Sequence, residues 1–145
     1  MNKLIEIGFQ HVGRWRLCES GLELCLDRMV DVSPAMYAFV VDGRVKYVGK
    51  TMRALGRRLY GYRNPGKSQR TNRRVRNEIV NTLRADQQVD VFAFADNTVQ
   101  QIGTFRLNIP AALEDDVIAQ LRPPWNGSRR GEDLEGADSQ ERRLG

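Results

Sequence analysis

A turn dipeptide set between two apolar runs constrains this chain more than any other feature. Ala35-Met36-Tyr37-Ala38-Phe39-Val40-Val41 is followed by Asp42-Gly43, and then by Arg44-Val45-Lys46-Tyr47-Val48-Gly49. Asp-Gly accepts the positive backbone angles that a tight antiparallel turn demands, and the flanking residues are the β-branched and aromatic types that fill strands. Residues 35–49 therefore predict a β-hairpin. Tyr37 and Tyr47 fall on its two paired strands, where cross-strand packing can bring both hydroxyls to one edge.

The segments around the hairpin follow from periodicity and breakers. Before it, residues 11–29 predict another hairpin, with Leu22, Leu24 and Leu26 alternating against Glu23, Cys25 and Asp27. Trp15, between Arg14 and Arg16, reads as a packing aromatic in preference to a stacking contact, and His11 as a surface or turn residue. After the central hairpin, Thr51 is the expected cap of a helix that places Leu55 and Leu59 on one face and Arg58 and Tyr62, four apart, on another. Asn64-Pro65-Gly66 ends that helix. A second helix is expected from 71 or 72 to 85, with Val75, Ile79 and Leu83 as its apolar stripe. Residues 88–95 read as a third strand covered on both faces, closed by Asp96-Asn97-Thr98. Residues 99–109 lack a period and predict a loop with a short strand. Pro110 then opens a helix, with Asn108 or Ile109 near its cap, that Pro123-Pro124 stops.

At 145 residues the chain is long enough for a core that needs no disulfide or metal. The expected organisation is a hairpin extension over 1–32, a domain over 33–127 and a disordered tail over 128–145, where only Leu134, Ala137 and Leu144 are appreciably apolar. No apolar run reaches membrane-spanning length, and the first residues lack a secretion signal's apolar centre. A cytoplasmic protein with no membrane partner is expected. Cys18 and Cys25 match no zinc spacing and are expected as reduced thiols.

Charge is the second constraint. The net charge of +5 conceals a block over residues 43–84 with thirteen Lys and Arg against Glu78 alone, a net of +12. A solvated helix surface would interleave acids at i,i+4 spacing, whereas a polyanion-binding surface has no use for them. Arg57, Arg70, Arg73, Arg74 and Arg76 are the expected nucleic-acid contacts, since a guanidinium fork matches phosphate geometry.

These residues resemble the GIY-YIG nucleases. Ala35-Met36-Tyr37 stands where that family has Gly-Ile-Tyr, and Tyr47-Val48-Gly49-Lys50 stands where it has Tyr-Ile-Gly and its following residue. Arg58-Leu59 with Tyr62 one turn on, Leu113-Glu114 at a helix start, and Pro123-Pro124-Trp125-Asn126 continue the likeness in the same order, over residues 34–127. The resemblance implies a small α/β domain: a central three-stranded antiparallel sheet flanked by helices, here preceded by the N-terminal β-hairpin.

It also implies a metal-dependent endonuclease that hydrolyses phosphodiester bonds of DNA, in preference to RNA. The alternative is a DNA- or RNA-binding module on the same fold that does not cut. By resemblance, the catalytic set is Tyr37, Tyr47, Lys50, Arg58, Tyr62, Glu114 and Asn126. Glu114 would hold one divalent ion, Mg²⁺ with Mn²⁺ as the substitute, and Arg58 would stabilise charge on the phosphate. Tyr37 would act as general base, which requires a phenol pKa below the ordinary value of about 10. Tyr47 and Tyr62 would orient water, phosphate or Arg58, and Asn126 would brace the site. One such site cuts one strand, so a double-strand cut requires a dimer or two successive nicks.

Overall fold

The computed structural model describes residues 1–95 and 100–127. The expected closing turn of the third strand, Asp96-Asn97-Thr98, and the expected tail from Ser128 onward lie outside the described residues. In chain order the elements are α1 (Asn2–Ile7), β1 (Gln10–Cys18), β2 (Gly21–Leu26), β3 (Ala35–Val41), β4 (Arg44–Thr51), α2 (Leu55–Tyr60), α3 (Arg70–Arg84), β5 (Val89–Phe94), β6 (Gln100–Ile102), β7 (Phe105–Leu107) and α4 (Ile109–Leu121), with a short 3-10 helix at Pro124–Asn126.

The sheet follows from one strand. All seven residues of β3 are buried, and their alternation feeds two separate cores. Ala35, Tyr37, Phe39 and Val41 pack with Leu55 and Leu59 of α2 and Val75, Ile79 and Val80 of α3. Met36, Ala38 and Val40 pack with Leu4 of α1 and with Leu113, Val117, Ile118 and Leu121 of α4. The domain is therefore three layers deep, with a sheet between two pairs of helices. The turn forms as its sequence demands, with φ of 52° at Asp42 and 73° at Gly43, the left-handed pair of a type I′ turn.

The sheet has five strands, in the order β2-β1-β5-β3-β4 with antiparallel pairing, where three were expected. The N-terminal hairpin is not a separate appendage: β1 completes the free edge of β5, from Gln10 opposite Ala93 to Trp15 opposite Val89. A bulge between His11 and Gly13 shifts the alternation, so that Val12 and Trp15, at odd spacing, reach the same core. Docking buries that apolar stripe and removes an exposed strand edge at once. Trp15 is in the core, edge-on to Phe39 and Tyr62 with ring centroids 5.8 and 6.4 Å apart.

Other expectations need smaller corrections. Thr51 ends β4 and does not cap α2, which begins four residues later at Leu55 with no side-chain cap. The Thr51 hydroxyl oxygen instead accepts from the Arg53 amide at 2.9 Å, turning the chain between strand and helix. β5 buries Val89, Val91 and Ala93 on one face, but Asp90, Phe92 and Phe94 on the other are only partly covered. His11 lies within β1, 3.0 Å from Asp90. The two free cysteines stand at separate registers, Cys18 opposite Gly21 and Cys25 opposite Arg14. Among the described residues no helix is long and apolar enough to cross a membrane.

Because Trp15 links the N-terminal hairpin to the central core, Trp15→Ala is expected to cost about 3–5 kcal/mol of stability. Urea unfolding followed by circular dichroism measures this. A loss below about 1 kcal/mol would mean that the hairpin is an independent appendage.

Candidate active site

The site begins with a packing constraint. Tyr37 on β3 is directly opposite Gly49 on β4, and its ring lies against the glycine backbone. A Cβ at residue 49 would stand 2.6 Å from both the Tyr37 Cζ and the hydroxyl oxygen. Only glycine leaves room for the ring, which explains the small residue that closes the Tyr47-Val48-Gly49 triplet. Phe39, opposite Tyr47, stacks on it with centroids 5.6 Å apart. Tyr37 and Tyr47 thus lie on the same face of the hairpin, 6.3 Å apart.

Tyr62 joins them from the other side of that core. Its hydroxyl is 2.8 Å from the Tyr37 hydroxyl, contacts that of Tyr47 at 3.5 Å, and accepts from the Arg58 Nη2 at 3.1 Å. A phenol has one proton and two acceptor sites. If Tyr62 donates to Tyr47, it accepts from Arg58 and from Tyr37, which makes Tyr37 a donor. Arg58 also donates to the Asn72 Oδ1 at 3.3 Å and stacks its guanidinium on the Tyr62 ring at 4.8 Å. Asn72, on the first turn of α3 and buried, was not singled out from the sequence. An asparagine at a helix start reads there as a cap, and only the tertiary approach of α3 to α2 gives it a guanidinium.

Protonation follows from burial. Tyr37 and Tyr62 have no exposed surface, and Tyr47 is 6% exposed. Burial pushes the Tyr37 phenol well above the ordinary tyrosine range; Arg58 works against this, and the charges of Tyr47 and Glu114 add to it. Burial likewise raises Tyr62, helped by its two phenol neighbours. For Arg58 burial opposes the cation, but Tyr37, Tyr62 and Tyr47 outweigh it and hold the charge in place.

The Arg58 cation forms part of the wall of a cleft of about 610 Å³, lined also by Lys50, Arg53, Arg70, Thr71 and Asn72. None of the described residues lining it is acidic. On its rim, Lys50 pairs with Glu114 of α4 at 3.0 Å; the carboxylate side chain is 16% exposed. Asn126 does not reach the cleft. Its Oδ1 accepts from the Val48 amide and its Nδ2 donates to the Val48 carbonyl, both at 2.9 Å, so it binds the outer edge of β4 between Tyr47 and Gly49.

The expected nucleic-acid contacts divide by position. Arg70 lines the cleft, and Arg53 lines it too. Arg74 donates to the Trp125 carbonyl, Arg76 to the Arg63 carbonyl at 2.9 Å and Arg73 to the Lys67 carbonyl at 3.3 Å. Arg57 lines a separate groove with Leu24, Leu26, Val30 and Tyr60.

No family model matches the chain, and no curated protein does. Among solved structures, a mutant of bacteriophage T4 EndoII aligns at a TM-score of 0.65 with 21% identity, over 87% of this chain and 96% of that one. The restriction endonuclease Hpy188I in complex with product DNA aligns at 0.49 with 16% identity, over 90% of this chain and 83% of that one. The likeness to EndoII establishes the fold, and the nuclease resemblance read from the sequence holds at that level.

Gly49→Ala is expected to cost about 1–3 kcal/mol and to move the Tyr37 hydroxyl away from Tyr62. Denaturant unfolding together with a structure of the variant measures both. Unchanged stability and an unmoved phenol would contradict the packing account.

Proposed function

We propose that the chain is a metal-dependent endonuclease of the GIY-YIG type, hydrolysing phosphodiester bonds of DNA. The observation that carries this reading is Arg58: a half-buried cation, held by Tyr62 and Asn72, in the wall of a cleft with three further cations. Such an arrangement is poorly explained as structural, because a partly desolvated guanidinium set among other cations with no carboxylate partner is costly to keep. It is well explained as a phosphate clamp, fixed in advance where negative charge develops as water attacks phosphorus and the P–O bond breaks.

Glu114 is the residue that would hold the ion. The donor chemistry fits Mg²⁺, a hard cation that takes one or two carboxylates and completes its shell with water and substrate phosphate. Among the described residues there is no cluster of three or more His, Cys, Asp or Glu, so Glu114 would be the ion's one carboxylate from this chain. When bound, the ion would supply charge neutralisation on the phosphate. Lys50 pairs with Glu114 at 3.0 Å, and in this reading its ammonium would meet a phosphate bound beside that carboxylate.

The tyrosines divide by burial. The sequence resemblance suggested Tyr37 as general base, but a sealed phenol with raised proton affinity holds its proton. In this reading Tyr37 and Tyr62 are positioning residues that keep Arg58 in place, and Tyr47, the least buried of the three phenols, takes the base role. Asn126 acts at one remove, holding the β4 backbone that carries Tyr47.

Incubation of the purified protein with supercoiled plasmid tests this directly. Nicking is expected with Mg²⁺ and not with chelator, and Glu114→Ala should slow it by roughly 10²-fold or more while leaving DNA binding intact. Under single-turnover conditions Tyr47→Phe should be slower than Tyr37→Phe. Binding without nicking would leave the chain a nucleic-acid-binding module. A faster Tyr47→Phe than Tyr37→Phe would return the base role to Tyr37.

A further inference from the structure

β6 and β7 form a two-stranded ribbon that pairs only with itself, and its apolar side chains belong to neither core. Ile102 stands opposite Phe105 in the register, and Leu107, two residues on, shares their face. Ile102 is 73% exposed, Phe105 77% and Leu107 41%. Arg106 and Gln101, paired on the opposite face, are polar, and residues 100–107 contain no acid. Two strands of three residues are at best marginally stable in isolation. Three large apolar side chains left in water at such a place call for a partner.

The ribbon's position says which. β7 runs directly into Asn108, whose side chain caps α4 by accepting from the Ala111 amide and also donates to the Met52 sulfur at 2.8 Å. Met52 lines the cleft of Arg58 and Lys50. The end of the ribbon is therefore tied, through Asn108, to a residue that lines the cleft. A second copy of the chain is poorly matched as its occupant. Three side chains offer a patch of a few hundred Å², which even doubled falls short of the roughly 1,200–2,000 Å² of stable association. A base step needs much less area and favours the absence of acids.

We infer that the ribbon is a DNA wedge: Phe105 and Ile102 insert between adjacent base pairs from the minor groove beside the scissile phosphate, with Arg106 against the neighbouring backbone. The inference rests on the DNA reading above and adds that the substrate is bound kinked. Unstacking one step costs a few kcal/mol and is offset by the closer wrap that a bend permits. With the ribbon tied to the cleft at Met52, a kink would turn the phosphate toward Arg58.

The test uses the full chain in chelator, so that DNA stays intact, and duplexes with donor and acceptor dyes at their two ends. Wild type is expected to shorten the end-to-end distance by an amount matching a kink of roughly 20–90°. The double variant Ile102→Ala with Phe105→Ala should bind with an unchanged salt dependence but leave the duplex straight, and Phe105→Trp should keep the kink. Both side chains are exposed, so the fold is not at stake, and circular dichroism checks it. Equal kinking by the double variant, or a straight duplex with wild type, overturns the wedge alone. A wild-type dimer that the double variant turns into monomers in sedimentation also overturns it, and makes the ribbon a self-interface. Failure of wild type to bind DNA at all overturns the DNA reading and the wedge with it.

Discussion

Three hydroxyls buried among aromatic rings, those of Tyr37, Tyr47 and Tyr62, and the half-buried guanidinium of Arg58 beside them are kept there by satisfying one another. A buried hydroxyl or cation without a partner costs more than most single contacts contribute. Tyr62 carries the balance, since its one oxygen meets all three of the others. That requirement fixes the ring of Tyr37 against Gly49, the turn of α2 that presents Arg58, and the first turn of α3 that brings Asn72. The same arrangement leaves a cation facing the cleft with little freedom to move, which is what electrostatic stabilisation of a developing charge needs.

The two ends of the chain support this cluster from outside. At the N-terminal side, β1 covers the edge of β5 and sends Trp15 beneath Phe39 and Tyr62. At the C-terminal side, residues 123–127 strap the edge strand to a helix. Asn126 takes both backbone groups of Val48, Trp125 enters the core, and Arg74 of α3 donates to the Trp125 carbonyl. Arg74 therefore reads as basic surface in the sequence and as a tie in the fold. α4, held on the far face by Leu113, Val117 and Ile118, carries Glu114 to the rim where the two layers meet at Lys50.

What was legible in the sequence was local. The Asp42-Gly43 hairpin, the stripe of Val75 and Ile79 on α3, the pairing of Arg58 with Tyr62 and the Asn108 cap of α4 each follow from a period or a turn within a few residues. What was missed is long-range. Nothing in residues 10–18 announces that they pair with residues 89–93, because strand pairing partners far apart in sequence are chosen by which edges and apolar stripes remain to be covered. The helix α1, at six residues, is too short to show a period. Burial of Tyr37 could be expected from its neighbours, but its effect on the proton depends on Tyr62 and Glu114 and so needed the fold.

The central claim, that Tyr62 works by holding Arg58, is tested most directly by a double-mutant cycle on single-turnover cleavage with Arg58→Lys and Tyr62→Phe. Tyr62→Phe removes only the hydroxyl that meets the guanidinium. The account predicts that both single variants are slowed and that the double variant is no slower than Arg58→Lys alone, a coupling within about 0.5–3 kcal/mol. Losses that simply add would contradict it, because Tyr62 and Arg58 would then act independently.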